Sequence, residues 1–226
     1  GKTTPLRERG VRRTGYQEEE KLMQTKVKGD VEARVVESGM VIERRFTSMG
    51  EDVFDAFEWI EMDVEIRNPD GSMADTIEGV KLPGGFAGVP GKVCAQKYLR
   101  KAGVPKYLRK VPEEGVPVWL QRSEPDTEKL QTLKAEERYG GEKDGRALFH
   151  RLAGCWTFWG WKHGYFESEA DAKIYYEEMV YLIASQRSAP NSPQWFNTGL
   201  HWAYGIDGPA QGHSFINPKT GELEYS

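Results

Sequence analysis

The sequence has 226 residues and a formal net charge of -4, and 38% of its residues are hydrophobic and 29% charged. This composition is typical of a globular protein, and the length allows one large or two small domains with a hydrophobic core. The negative charge disfavours stable binding to nucleic acid, and the lack of a long apolar run or a signal segment predicts a cytoplasmic protein that does not bind membranes.

Residues 1–40 form a charged arm with little hydrophobic periodicity. The arm is predicted to be a solvated tail, and docking onto an acidic partner surface is the alternative, because it contains a basic cluster, Arg7, Arg9, Arg12 and Arg13. Its first residues, Gly1-Lys2-Thr3-Thr4, resemble the end of a phosphate-binding P-loop. The glycine and the strand that precede such a loop are missing, so we do not predict phosphate binding there.

A β-hairpin is predicted next. Four apolar residues alternate with charged ones, which indicates a strand with one buried face: Ile60, Met62, Val64 and Ile66. The run Asn68-Pro69-Asp70-Gly71 favours a tight turn, and residues 73–80 can return antiparallel. The acids on the exposed face are expected to be solvated rather than to bind a metal.

Residues 83–91 are rich in glycine and proline, and their prolines exclude a dinucleotide-binding fingerprint, so they predict a loop. A helix is predicted over residues 93–101, ended by Gly103 and Pro105. Tyr98 and Tyr107 are interleaved here with a cluster of basic residues: Lys92, Lys97, Arg100, Lys101, Lys106, Arg109 and Lys110. The cluster indicates a solvated helix face or, alternatively, a grip on nucleotide phosphates.

Residues 112–144 have weak periodicity and predict a connecting region with a short helix over 127–138 and a soft domain boundary at its end. Two strong amphipathic helices follow. The first is predicted to end at Gly160 and Gly164, and its apolar stripe is Leu148, Leu152, Ala153, Trp156 and Trp159. The second opens on a Ser168 and Asp171 cap, and its stripe is Tyr175, Met179, Leu182, Ile183 and Gln186. Both stripes are predicted to be core.

The run Ala189-Pro190-Asn191-Ser192-Pro193-Gln194-Trp195-Phe196-Asn197-Thr198-Gly199 follows the second helix. Its prolines push the residues before them out of helical geometry, so the run predicts an extended loop. Ser192, Asn191 and Asn197 carry short polar side chains that suit a ligand-binding loop. The alternative is a capped loop with Trp195 and Phe196 buried beneath it.

Cys94 and Cys155 lie far apart without a CxxC spacing, and each is predicted to be a small buried hydrophobe. The four histidines show no ligand spacing, so no metal site is predicted: His150, His163, His201 and His213. His213 is predicted to be structural. Residues 214–225 predict a final hairpin that turns through 217–221.

Several blocks, in this order along the chain, resemble the long form of the adenosylcobalamin-dependent (class II) ribonucleotide reductases. They span residues 41 to 212 and are VIERRFTSMGEDVFDAFEW, IRNPDGS, VCAQKYLRKAGVP, RLAGCWTFWGWKHGYFESEADA, LIASQRSAPNSPQWFNTG and LHWAYGIDGPAQG. The resemblance implies an α+β fragment. An N-terminal β-hairpin and helical region at 41–144 would lead into 145–226, a helical pair and the first elements of a ten-stranded α/β barrel.

The resemblance also implies the function of the complete enzyme. It would reduce ribonucleoside di- or triphosphates through thiyl-radical chemistry initiated by adenosylcobalamin, with the rest of the reductase chain as partner and a homodimer allowed. Ser192 matches a family position that helps to hold the substrate phosphate, with Asn191 and Asn197 as its neighbours. The catalytic cysteines of the family lie beyond this chain, so Cys94 and Cys155 receive no catalytic role. Basic residues around Tyr98 would be candidates for cobalamin or nucleotide contact. The alternative is a non-catalytic folding or assembly module, or a split subunit.

Overall fold

A computed structural model describes residues 39–67, 70, 72–207, 214–217 and 220–225. Contacts divide the chain into Gly1–Gly39 and Met40–Ser226, and the second unit holds the elements below. The predicted basic arm and the P-loop-like tetrapeptide therefore lie outside the described residues, except for the last two residues of the arm.

The predicted hairpin is confirmed. Strand β1 (Trp59–Arg67) pairs antiparallel with β2 (Met73–Pro83), and Val64 lies opposite Ile77. The alternation places Val64 in the core and leaves Glu61, Asp63 and Glu65 exposed, because successive side chains of a strand point to opposite faces. On the exposed face Asp63 accepts a hydrogen bond from the Gly79 amide (2.9 Å). Of the predicted turn, only Asp70 is among the described residues.

The predicted bounds of the loop at 83–91 and of the helix at 93–101 are wrong. Helix α1 (Val89–Val93) begins inside the predicted loop, since Pro90 occupies its first turn, where no amide hydrogen bond is needed. A single π turn follows (Cys94–Tyr98), closed by a hydrogen bond from the Leu99 amide to the Cys94 carbonyl (3.1 Å). The helix ends there because Arg100 pairs with Glu142: its amide donates to the Glu142 carboxylate, and its carbonyl accepts from the Glu142 amide (2.7 Å each).

The connecting region contains two short antiparallel ribbons. Strand β3 (Val104–Pro105) pairs with β6 (Tyr139–Gly140), and β4 (Leu108–Lys110) pairs with β5 (Ser123–Pro125). Helix α2 (Thr127–Gln131) is shorter than predicted, and a separate 3-10 turn (Ala135–Glu137) occupies the rest of the predicted helix. Asp126 caps α2 by accepting a hydrogen bond from the Lys129 amide (3.2 Å).

The two strong helices are confirmed as α3 (Gly145–Lys162) and α4 (Glu169–Ala184). The predicted cap is present, since the Ser168 hydroxyl accepts a hydrogen bond from the Asp171 amide (3.2 Å). Gly160 does not end α3. A Cβ atom there would lie 2.7 Å from the ring of Phe166, so glycine at this position lets Phe166 pack against the helix.

The two predicted stripes are only partly core. Leu148, Leu152 and Ala153 are fully buried, but the Trp159 side chain is 50% exposed. Gln186 lies beyond the end of α4 and belongs to no stripe. Other residues of the two helices face the core instead, among them Phe149 and Val180, which are fully buried.

The run at 189–199 is helical where a loop was predicted. Asn191 is extended (φ -66°, ψ 159°), as the prolines require, but helix α5 (Ser192–Asn197) starts directly after it. Pro193 is tolerated because it lies in the first turn. Gly199, at φ 81°, turns the chain into α6 (Leu200–Tyr204). The final hairpin is confirmed as β7 (Ser214–Ile216) and β8 (Leu223–Tyr225), while His213 lies outside the described residues.

Two hydrophobic clusters meet along α3. The larger one joins β1, β2, the π turn, α3 and α4, and the smaller one joins the 3-10 turn Val118–Leu120 to α6 and Cys155. Trp202 of α6 crosses α3 at Gly154, where a Cβ atom would lie 2.2 Å from the indole ring. The Trp202 indole nitrogen also donates a hydrogen bond to the Leu120 carbonyl (3.0 Å), which fixes the ring at the crossing.

We therefore expect Gly154→Ala to destabilise the fold. The added methyl group overpacks a ring that cannot move aside, which costs about 1 to 3 kcal/mol and outweighs the roughly 1 kcal/mol that alanine gains over glycine within a helix. The urea midpoint of the chain measures this. Gly140→Ala is the control, since nothing lies within 4 Å of its added Cβ atom, and equal midpoints for the two variants would contradict the prediction.

Candidate functional site

Ser192 is the first residue of α5, and its side chain is exposed, as is that of Asn191. The Tyr98 hydroxyl lies 3.3 Å from the Ser192 Oγ atom. The Tyr98 ring stacks on Trp195, with ring centres 5.2 Å apart and planes 15° apart. Ser192, Asn191 and Tyr98 therefore share one exposed edge of the molecule, above the buried ring of Trp195.

Asn197 is not brought to this edge. It is the last residue of α5 and partly buried, five residues after Ser192 and so roughly 140° around the helix. The alternative prediction for this run placed Trp195 and Phe196 beneath the polar residues. Trp195 is buried in this way, while Phe196 is only partly buried.

A fully buried ion pair holds this edge in place. Arg151 of α3 donates from Nε to Glu142 Oε1 (2.7 Å) and from Nη2 to Glu142 Oε2 (3.3 Å), and both side chains have an exposed fraction of 0%. The Tyr204 hydroxyl also donates to Glu142 Oε1 (2.7 Å), and the Arg100 amide donates to Oε2 (2.7 Å). Each carboxylate oxygen thus accepts two hydrogen bonds, which is what a buried charge requires.

The two terminal nitrogens of Arg151 also contact three backbone carbonyls, and the hydrogens of Nη2 are shared between Glu142 and two of them. Nη1 donates to Thr198 (2.6 Å), and Nη2 donates to Trp195 (2.8 Å) and to Tyr98 (3.1 Å). One side chain therefore ties the end of α5 to the π turn. This is how Tyr98 and Ser192 come to lie next to each other, although they are 94 residues apart. Sequence reasoning missed Arg151, because an arginine within an amphipathic helix normally points to solvent.

The ion pair also changes the acidity of its neighbours. Burial, reinforced by the negative charge of Glu142, raises the pKa of the Cys94 thiol to about 12. Burial likewise raises the pKa of Tyr204 far above its usual range, and the charge of Glu142 acts in the same direction. Tyr204 therefore stays protonated and acts as a hydrogen-bond donor to Glu142.

The connection between α4 and α5 is fixed by Gln186, which sequence reasoning also missed. Gln186 adopts a left-handed conformation (φ 58°), which is unusual for a residue other than glycine. Its Nε2 atom donates to the Gly85 carbonyl (2.7 Å) in the turn after β2. This bond fastens the chain six residues before Ser192 to the hairpin and compensates for the conformation of Gln186.

Three buried acids of α4 hold the segment at 40–47. Asp171 accepts from the Ile42 amide (2.8 Å), and Glu177 pairs with Arg44. Glu178 accepts from the Arg45, Phe46 and Thr47 amides (3.0 Å each). Burial alone would raise the pKa of Glu178, but these hydrogen bonds outweigh it and lower the pKa. Acids on the inner face of α4 could have indicated a docked segment in the sequence.

The predicted basic cluster does not lie on one helix. Lys92 and Lys97 lie on α1 and the π turn, whereas Arg109 and Lys110 lie on β4. Arg109 forms an ion pair with Glu124 of β5 (2.7 Å), and the Lys110 amine donates to the Gln121 carbonyl (2.7 Å). The interpretation as one basic helix face is wrong, because the helix ends before these residues.

Both cysteines are buried, as predicted, with exposed fractions of 1% for Cys94 and 3% for Cys155. Burial raises the pKa of Cys155 to about 12, as it does that of Cys94. His150 is only partly exposed, and desolvation together with the charge of Lys110 lowers its pKa to about 4. Its Nδ1 atom lies 2.7 Å from the Tyr176 hydroxyl. His150 is therefore neutral at physiological pH and partly buried.

Among the described residues, clefts also lie away from Ser192 and Tyr98. One, of about 720 Å³, separates the segment around Asp52 from α4 and includes Arg44 and Tyr176. Another, of about 580 Å³, is mostly aromatic and includes Trp159 and Tyr165. Ser192 and Tyr98 line neither cleft. Among residues 39–67, 70, 72–207, 214–217 and 220–225, no group of three or more His, Cys, Asp or Glu residues is arranged to hold a metal ion. No helix in this part of the chain combines the length and the apolar character needed to cross a membrane.

The sequence from β1 to Gln186 defines the family. Residues 61–186, more than half of the chain, match the model of the class II vitamin B12-dependent ribonucleotide reductases. The chain belongs to this family.

The curated relatives agree. The chain is 53% identical over 187 residues to the vitamin B12-dependent ribonucleotide reductases of Bradyrhizobium diazoefficiens and of Agrobacterium fabrum. It is 30% identical over 162 residues to the reductase of Streptomyces avermitilis. The first two alignments cover 83% of this chain and 15% of each relative, and the third covers 71% and 13%. The chain therefore spans about 15% of the length of the Bradyrhizobium and Agrobacterium reductases.

Membership implies adenosylcobalamin as the cofactor of the complete enzyme. The described residues do not by themselves build a site for it. The basic residues that were candidates for contacting it are dispersed over α1, the π turn and β4. Cys94 and Cys155 are buried, and His150 is partly buried with its Nδ1 atom bonded to the Tyr176 hydroxyl, so none of the three offers a free ligand atom at the surface.

We expect the two thiols to react slowly with an alkylating reagent in the folded chain and rapidly in denaturant. Only the thiolate reacts, and a rise of the pKa from 9.0 to about 12 lowers the thiolate fraction at pH 8 roughly a thousandfold. The rate should rise with pH up to the raised pKa. Mass spectrometry of each cysteine peptide follows the reaction, and rapid native labelling of either residue would contradict its burial.

Proposed function

We propose that this chain is the N-terminal part of a ribonucleotide reductase that converts ribonucleotides to deoxyribonucleotides. The family match over residues 61–186 carries this proposal. In the complete enzyme adenosylcobalamin would supply a radical that takes a hydrogen atom from a cysteine thiol and so leaves a thiyl radical, and a further pair of cysteines would supply the reducing electrons. The burial of Cys94 and Cys155 supports the view that those cysteines belong to the rest of the reductase chain. The homodimer and the cytoplasmic location stay predictions.

Within this enzyme, Ser192 would hold a phosphate of the ribonucleotide. Its hydroxyl is exposed and close to a second hydroxyl, that of Tyr98. A hydroxyl group donates one hydrogen bond, and a phosphate oxygen is a charged acceptor that strengthens it. Asn191, exposed beside Ser192, would contribute its amide to the same ligand. Asn197 is the weaker proposal, because it lies at the other end of α5.

The buried ion pair supports this role. A ligand-binding hydroxyl is effective when its position is fixed before the ligand arrives. Arg151 fixes α5 from below through the carbonyls of Trp195 and Thr198. The described part of the chain would thus serve as the scaffold for one edge of the substrate site.

A second candidate function is a non-catalytic folding or assembly module, or a split subunit. The burial of the chain's two thiols favours it, since neither is accessible to a substrate. The two candidates differ in one respect, which is whether nucleotide binding depends on Ser192.

In the complete reductase, we expect Ser192→Ala to weaken nucleotide binding by about 10- to 150-fold. A hydrogen bond to a charged group contributes roughly 1.5 to 3 kcal/mol, and the exposed hydroxyl contributes little to the fold. Isothermal titration with nucleotide and the urea midpoint of the same variant measure the two effects separately.

Ser188→Ala is the matched control, because Ser188 is an exposed serine four residues earlier in the same connection. It should leave affinity and stability unchanged. If Ser192→Ala instead lowers stability by about 1 kcal/mol, as the loss of a local capping contact would, and leaves the affinity intact, Ser192 is only structural and the module is the better account.

A further inference from the structure

The Tyr98 hydroxyl lies 3.3 Å from the Ser192 Oγ atom, and the Tyr98 residue is held at two points. It stacks on Trp195 (5.2 Å between ring centres), and its own backbone carbonyl accepts a hydrogen bond from Arg151 (3.1 Å). The carbonyl of Trp195 accepts from the same Arg151 nitrogen (2.8 Å). The two stacked residues are thus fixed to each other through both their rings and their backbones.

Tyr98 is the last residue of the π turn. In the π turn Cys94–Tyr98 the Leu99 amide bonds to Cys94, five residues back, instead of four as in an α-helix. The extra residue widens the turn and rotates the residues at its end. Single π turns are unusual and occur frequently at functional sites, and this one ends on the tyrosine that faces Ser192.

We infer that Tyr98 is a positioning residue for the Ser192 hydroxyl, an inference that rests on the proposed role of Ser192 in binding the substrate phosphate. Either hydroxyl could be the donor at this distance, and in the inferred role the Tyr98 hydroxyl donates the hydrogen bond to the Ser192 Oγ atom. Ser192 then has its own proton free to donate to a phosphate oxygen. Without the Tyr98 hydroxyl, the Ser192 hydroxyl would rotate freely and would bind the phosphate oxygen less strongly.

The geometry agrees with a bond that tightens when the ligand binds. The distance of 3.3 Å between the two oxygens is longer than the usual 2.5 to 3.0 Å for hydroxyl groups. Hydrogen bonds in ligand sites are often long before the ligand is present. Because the ring of Tyr98 is already stacked in place, only a small adjustment of the Ser192 side chain is needed.

The test uses the complete reductase and Tyr98→Phe, which removes the hydroxyl and keeps the stacked ring. We expect this variant to bind nucleotide about 2- to 10-fold more weakly, the effect of one neutral hydrogen bond. The KM for nucleotide should rise while kcat is unchanged, and the urea midpoint should stay that of the unmodified enzyme. Tyr139→Phe is the matched control, since Tyr139 is an exposed tyrosine on β6.

A double-mutant cycle distinguishes positioning from a purely structural role. In the Ser192→Ala background, Tyr98→Phe should cause no further loss of affinity, because Tyr98 acts only through Ser192. If the two losses multiply, or if Tyr98→Phe lowers the urea midpoint, Tyr98 is structural and the inference is wrong. If Ser192→Ala weakens binding but Tyr98→Phe does not, the inference is also wrong and the role of Ser192 stands. If Ser192→Ala has no effect, the proposed role of Ser192 fails and the inference fails with it.

Discussion

The ion pair between Arg151 and Glu142 is the contact on which the arrangement of the second half of the chain depends. Neither side chain is exposed to solvent. Transfer of two charges out of water costs several kcal/mol per ion, so such a pair is tolerated only when every donor and acceptor is used. Here the guanidinium binds Glu142 and three carbonyls, and the carboxylate accepts from Arg151, Tyr204 and Arg100.

The hydrogen bonds that the buried pair requires determine the conformation of the backbone around it. The π turn ends, and the chain becomes extended at Leu99, so that the Tyr98 carbonyl and the Arg100 amide both reach the pair. Gly199 comes so close to α3 that a Cβ atom would lie 2.1 Å from the Arg151 carbonyl, and its φ of 81° disfavours any other residue. Alternative packings would leave a buried charge without partners, which costs more than most packing defects. The pair therefore specifies one arrangement of α5 against α3.

Local patterns in the sequence predicted the elements whose causes are local. The hairpin follows from the alternation around Val64, and the start of α4 follows from the cap at Ser168. The π turn, the burial of Arg151 and the left-handed Gln186 depend on partners far away in sequence, namely Glu142, Trp195 and Gly85. No periodicity encodes such pairs. For Trp159 the local pattern predicted a contact that is absent. Its place on the apolar stripe predicted burial, but no element among the described residues covers it fully.

The same division applies to the candidate site. Ser192 and Asn191 were found through their place between two prolines and through resemblance to the family, and both are exposed. Tyr98 was noted only as one member of a basic cluster, and that cluster is dispersed. Its nearness to Ser192 results from Arg151, which binds both segments that carry the two hydroxyls. A site built in this way becomes visible only when the contacts between distant segments are known.

Hydrogen exchange of the Arg151→Met variant tests most directly whether the buried pair fixes this edge of the molecule. The variant leaves Glu142 buried without its partner, while Arg109→Met, which breaks an exposed pair with Glu124, serves as the control. The account predicts that amides at 94–100 and 194–199 exchange at least about tenfold faster, while amides in the middle of α4 keep their protection. Unchanged exchange in those two segments, or an equal loss of protection throughout the chain, would contradict it.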